Sequence, residues 1–106
     1  MNRNGIMEFD WDEHKNRINF KKHGIRFEEA RLIFESVHFT KLDPRDYYNE
    51  QGQAEIREIT IGTLGGGTVL VVCHTHRNRR RRIISVRKAA FKERRRYYEA
   101  FKDTAI

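Results

Sequence analysis

A single cysteine and a single proline in 106 residues set the first limits. The lone Cys73 excludes a disulfide framework and any cysteine-rich zinc module. No apolar run approaches the ~18 residues of a membrane span, and Met1-Asn2-Arg3-Asn4-Gly5 does not read as a secretory signal. No internal repeat or low-complexity linker divides the chain. A single soluble domain over residues 1–106, cytoplasmic and without membrane partners, is therefore expected. Twelve aromatics, seven of them phenylalanine, supply apolar bulk that a disordered chain of equal charge lacks. A chain of this length buries roughly two-thirds of its unfolded surface, enough for one modest core.

The net charge is +7, and its placement matters more than its size. Residues 1–73 carry 10 basic and 12 acidic side chains, whereas residues 74–106 carry 12 basic and 3 acidic. Five arginines fall between Arg77 and Arg82, and three more form the run Arg94-Arg95-Arg96. Such asymmetry points to a polyanionic partner, and guanidinium groups favour bidentate phosphate contacts. A basic face that only aids solubility is the competing reading.

The pattern of elements is α+β. Glu8-Phe9-Asp10-Trp11 alternates like a short strand. Asp10 or Asp12 can cap a helix that runs to about His23, with Gly24 as the left-handed residue after it. Trp11, Ile18 and the stem of Lys22 give this helix only a weak apolar stripe. A second helix starts near Phe27, with Phe27, Ala30, Arg31 and Phe34 on one face. Strands follow over Val37–Leu42, Arg57–Gly62, Thr68–Thr75 and Arg82–Arg87, and the polar stretch Tyr47–Glu55 reads as a mobile loop. Gly65-Gly66-Gly67 makes a hairpin turn, and the Arg77–Arg81 segment makes the next. A closing helix starts near Lys88 or Ala89, with Ala90, Phe91, Tyr97, Tyr98 and Phe101 within about 120° of its circumference and packed on the sheet.

Chemistry is suggested at four places. The Arg77–Arg82 turn can present guanidinium groups to successive phosphates of RNA. In the strand after it, alternation places Arg82, Ile84 and Val86 on one face and Ile83, Ser85 and Arg87 on the other. Lys21-Lys22-His23-Gly24 ends a helix with a histidine that either transfers protons or caps a free carbonyl. His74 and His76 share a strand face at a spacing that can bind metal, but no further ligand follows at a familiar spacing, and no metal is expected. Cys73 reads as buried filler, and Gly65-Gly66-Gly67 lacks the context of a nucleotide loop, so no cofactor is expected.

Three segments together resemble the BrnT family, the ribonuclease toxins of type II toxin–antitoxin pairs. They are Trp11-Asp12-Glu13-x-Lys15 with Asn19-x-x-Lys22-His23-Gly24-Ile25-x-Phe27-Glu28-x-Ala30, then Arg57-Glu58, then Arg82-Ile83-Ile84-Ser85-Val86-Arg87 with Ala89 and Glu93-Arg94-Arg95-x-Tyr97. The chain departs from the pattern at Arg26, where the family often has a helix-capping residue. The family would start near Met7, which makes residues 1–6 an extension without function.

The resemblance implies a RelE-like fold: a short strand, two helices, an antiparallel meander of about four strands, and a C-terminal helix packed on the sheet. It implies metal-independent cleavage of RNA through the ribose 2′-hydroxyl, inhibiting growth. It also implies neutralisation by a cognate DNA-binding antitoxin in a hetero-oligomeric complex. At the motif positions, Lys22, His23 and Glu58 are proton-transfer candidates and Arg57, Arg82 and Arg87 are candidates for charge stabilisation. Ser85 and Tyr97 could orient phosphate, and Arg77, Arg79, Arg80 and Arg81 could bind RNA. The catalytic expectation requires the arginines of the C-terminal third to meet the Lys22-His23 helix end in one cavity. The alternatives are a non-catalytic basic nucleic-acid-binding module and a basic face that grips an acidic protein.

Overall fold

A computed structural model describes residues 7–65 and 67–102, so the extension expected at residues 1–6 lies outside the described residues. The elements run β1 (Phe9–Trp11), α1 (Glu13–His23), α2 (Phe27–Ala30) continuing into a 3₁₀ segment (Arg31–Glu35), β2 (His38–Leu42), β3 (Tyr47–Tyr48), β4 (Ala54–Glu55), β5 (Glu58–Leu64), β6 (Thr68–Arg77), β7 (Arg80–Lys88) and α3 (Phe91–Phe101). The main sheet has the order β1-β7-β6-β5-β2. Strands β2, β5, β6 and β7 pair antiparallel, and β1 adds a parallel edge beside β7. The α+β class holds, with a mixed sheet of five strands. The stretch read as a mobile loop instead forms a small hairpin, β3 paired with β4, whose turn is held by backbone bonds to the Asn49 side chain.

The sheet carries a core on each face. On one, Leu70, Val72, Ile83 and Val86 pack against Ile25, Phe27, Ala30 and Ile33 from the α1–α2 layer. On the other, Ile61, Val69 and Val71 pack against Ala89 and Tyr97 of the α3 segment. At Gly62 the absent side chain leaves room for the 3₁₀ segment and the neighbouring strand, since a Cβ there would lie 3.2 Å from the Ile33 Cβ and 3.0 Å from the Cβ of His38 in β2.

Helix α1 starts where Asp12 accepts from the backbone N–H groups of His14 and Lys15, while Asp10 stays in β1. It ends at Gly24, whose φ of 73° and N–H bond to the Phe20 carbonyl close the last turn. Its attachment to the sheet is polar, since Asn16 and Asn19 are buried while Ile18 and Phe20 are exposed. The Asn19 amide donates to the carbonyls of Val86 and Ile25 and accepts from the Val86 N–H. It fills the position beside β7 that β1, ending at Trp11 opposite Ile83, leaves open. Asn16 accepts from the Phe27 N–H and donates to Glu28, and Glu29 accepts from the Arg26 N–H. Those bonds do the work of the capping side chain that Arg26 lacks.

Two sequence expectations need correction. Helix α2 is a single turn that tightens into 3₁₀ geometry. In α3, Tyr97 is buried and Phe101 half-buried, but Phe91 and Tyr98 face solvent. The five residues expected on one packed face were spread too widely for a single contact stripe.

Candidate functional site

A cavity of about 640 Å³ opens where the ends of β5 and β6 meet the β3–β4 hairpin, and Glu58, Thr75, His76, Arg77 and Ile56 help line it. Strand alternation puts these groups there. In the β5–β6 register Glu58 lies opposite His74, and His76 follows two residues on along the same face. The Glu58 Oε1 lies 3.2 Å from His76 Nε2 and 3.8 Å from His74 Nδ1. Arg81, directly across from His76 on β7, holds its guanidinium 4.4 Å from the centre of the Phe34 ring. Burial lowers the Arg81 guanidinium from its usual value, against the opposing pull of the Glu58 carboxylate.

Behind this group sits His74, fully buried, with its Nε2 2.7 Å from the Thr60 hydroxyl, which in turn meets the Thr40 hydroxyl at 2.7 Å. Burial, then the neighbouring Arg81, His76 and His38, pushes His74 down to about 3, so the ring is neutral at physiological pH. Among the described residues, buried His74 Nδ1 and Arg81 Nε make no hydrogen bond, and the buried Glu58 Oε1 has only its ion-pair contacts with the two histidines.

The buried histidine makes stability depend on pH in a defined direction. Unfolded, His74 regains its ordinary value near 6.5 and binds a proton before the folded chain does. Stability is therefore whole above about pH 6.5 and falls toward pH 3, by on the order of 2 kcal/mol between pH 6.5 and 5. Glu93, held down to about 2 chiefly by hydrogen bonds from Arg87, adds a second loss that starts below its ordinary value of 4.5. Urea midpoints measured at pH 7 and pH 5 should separate clearly for the natural chain and nearly coincide for His74→Gln. Equal separations in both would exclude this origin.

The residues singled out from sequence do not all converge. Glu58 points to the face covered by α1 and α2, with His74, His76 and Arg81. Arg57 turns to the opposite face, where it stacks on Tyr47 at 3.9 Å and bonds Glu55. A β-bulge leaves Ile84 unpaired, because Cys73 pairs with Ser85 while His74 pairs with Ile83. The expected alternation is thereby broken. Ile83 and Val86 share the α1–α2 core, whereas Arg82, Ser85 and Arg87 share the α3 side of the sheet.

Each of those arginines has a carboxylate already. Arg82 lies 3.4 Å from Asp10, and Arg87 forms two bonds with Glu93, which also accepts from the Ala90 N–H at the start of α3. Lys22 and His23 end α1, in the layer over the opposite face. Among the described residues no hydrogen bond or ion pair joins Lys22 or His23 to Arg82, Ser85 or Arg87, whose charged members are paired with Asp10 and Glu93 instead. Tyr97 is buried and donates its hydroxyl to the Val37 carbonyl, which leaves nothing to orient a phosphate. Cys73 is half-buried, and burial pushes its thiol up.

The arginine turn itself is tighter than the sequence suggested. Only Asn78 and Arg79 form it, both with positive φ (52° and 65°), while Arg80 and Arg81 belong to β7. Glycine is the usual second residue of such a turn, so Arg79 holds an unfavourable left-handed conformation at an exposed tip. Arg77 is tied to Glu55 through Nε and Nη2, and Arg80 to Glu8. Sequence reasoning weighed His76 only as a metal ligand beside His74 and missed its contact with Glu58. The signal was present, since the glycine turn fixes a register that sets Glu58 against His74.

Among the described residues, no group of three or more His, Cys, Asp and Glu side chains is placed to hold a metal ion, and no helix is long and apolar enough to cross a membrane. No curated protein sequence matches the chain. It is similar to the crystal structure of the Brucella abortus ribonuclease toxin BrnT, at 26% identity and a TM-score of 0.57, over 80% of this chain and 99% of that one. Residues 11–93 match the family model described as the ribonuclease toxin, BrnT, of type II toxin–antitoxin systems. That span takes in strands β2 to β7, the cavity and the start of α3, and the chain belongs to the BrnT family of ribonuclease toxins.

Proposed function

We propose that this chain is a cytoplasmic endoribonuclease of RelE-like architecture that cleaves RNA without a metal ion, and that Glu58, His76 and Arg81 do the chemistry. The observation that carries the reading is the 3.2 Å contact between Glu58 and His76 at the cavity wall, with Arg81 across the strand from His76. The Glu58 carboxylate takes the proton of a ribose 2′-hydroxyl, whose oxygen attacks the adjacent phosphorus. The bond from phosphorus to the 5′-oxygen breaks, and protonated His76 gives that oxygen its proton. A 2′,3′-cyclic phosphate and a free 5′-hydroxyl remain. Arg81 stabilises the extra negative charge of the phosphorane, which a partly buried guanidinium does better than a fully exposed one. Arg77 lines the cavity, and with Arg79 and Arg80 of the adjoining turn it receives neighbouring phosphates, Arg77 and Arg80 exchanging their contacts with Glu55 and Glu8 for the phosphate.

Arg57, Arg82 and Arg87 form a weaker candidate set, because each has its charge met by Glu55, Asp10 or Glu93. A non-catalytic module would need the arginines but not the Glu58–His76 pair. The cognate antitoxin is, on this reading, a DNA-binding protein that represses its own operon. The test is incubation of the purified chain with single-stranded RNA in EDTA. Cleavage leaving cyclic-phosphate and 5′-hydroxyl ends is expected, and cleavage only with added divalent ion, or none at all, would overturn the proposal.

A further inference from the structure

Helix α3 carries an outer stripe that no other described residue buries. Phe91 is 66% exposed and Tyr98 50% exposed. At 100° per residue Phe91, Arg95, Tyr98 and Lys102 lie within about 60° of one another, so they form one continuous line along the helix. This line is distinct from the inner side, where Tyr97 and Phe101 meet Phe39 at 6.5 and 6.1 Å between ring centres.

The two exposed rings are held in place. The Tyr98 hydroxyl donates to the Gly67 carbonyl at 3.0 Å, and Arg94, bonded to the Ala89 carbonyl, lies 5.8 Å from the Phe91 ring centre. Between them opens a shallow groove of about 510 Å³ that also reaches Arg95, Glu99 and Lys102. Its floor is aromatic and its rim is basic, with Glu99 already paired to Arg95 at 3.3 Å. Aromatic anchors ringed by arginine have the composition of a protein-binding hot spot.

We propose that this groove is where the cognate antitoxin docks, through an acidic amphipathic segment. The proposal rests on the toxin assignment of the family, and the occupant follows from charge. A segment whose apolar side chains lie between Phe91 and Tyr98 would set its flanking residues against Arg94, Arg95 and Lys102, and only carboxylates are welcome there. RNA is the less favoured occupant, because β7 separates the two places. The arginine turn and the cavity are at the Arg80 end of that strand, and α3 starts just beyond its Lys88 end. An antitoxin seated on α3 would thus hold the toxin without needing any residue assigned to cleavage.

The experiment uses the full chain co-expressed with its cognate antitoxin, together with Phe91→Ser and Arg95→Glu variants. Neither residue is placed in the RNA site. Each variant should weaken antitoxin binding by about thirtyfold or more, as truncation of an interface anchor does. Growth arrest should then persist despite the antitoxin, while RNA cleavage by the isolated variants stays within about twofold of the natural chain. Binding of antitoxin at natural affinity by both variants would overturn the proposal. So would loss of RNA binding and cleavage in step with antitoxin binding, which would make the groove an RNA surface. The binding measurement does not depend on catalysis, so an inactive Glu58 or a different cleavage site leaves its outcome readable.

Discussion

Replacing Glu58 by glutamine is expected to slow RNA cleavage by ~10²–10⁴-fold, because the amide keeps the shape of the carboxylate but cannot take a proton. His76→Ala should give a loss of the same order, and the double variant little more than the worse single one, since the two act in one step. Stability should barely change in His76→Ala, whose side chain is 53% exposed. The informative control is Arg82→Ala. Arg82 sits on the other face of the sheet beside Asp10, so its loss should cost less than about threefold in rate. A collapse of activity in Arg82→Ala with Glu58→Gln near normal would move the active site to the α3 face and end the present assignment.

The reason that outcome was open from sequence lies in one residue of β7. The order of elements could be read directly: Asp10 or Asp12 and then Gly24 bound α1, the glycine turn joins β5 to β6, and the run Val69–Cys73, apolar on both faces, marks a central strand. Alternation across Arg82–Arg87 could not be read, because a bulge inserts Ile84 and turns Arg82 to the same side as Ser85 and Arg87. Bulges arise from how two strands pair, and nothing in a single strand announces one.

The same distinction applies to the site. Glu58 was legible as a candidate, and its contact with His76 follows from the β5–β6 register. Where Lys22 and His23 lie relative to the arginines depends on which face α1 covers, a matter of tertiary packing. The parallel β1 strand was likewise invisible as a partner of β7, since its pairing spans some seventy residues.

Helix α1 shows most clearly where polar residues take over a task usually left to apolar ones. Asn19→Leu removes one acceptor and one two-handed donor from a buried position, leaving the Val86 N–H, the Val86 carbonyl and the Ile25 carbonyl without their partner. Leucine is close in size and more apolar, so a purely hydrophobic account of α1 predicts a neutral or stabilising change. Three stranded backbone groups predict the opposite, a loss of about 3 kcal/mol or more at roughly 1–3 kcal/mol for each buried unsatisfied group. That is a large share of the ~5–15 kcal/mol available to a domain of this size. Urea unfolding of Asn19→Leu beside Ile18→Ala measures the contrast, because Ile18 occupies the adjacent position, is half exposed, and should lose under about 1 kcal/mol. Equal effects at the two positions would mean that α1 is held by its apolar side chains. A dominant effect at Asn19 would establish that an asparagine amide, standing in for the strand β1 does not provide, fastens the helix to the sheet edge.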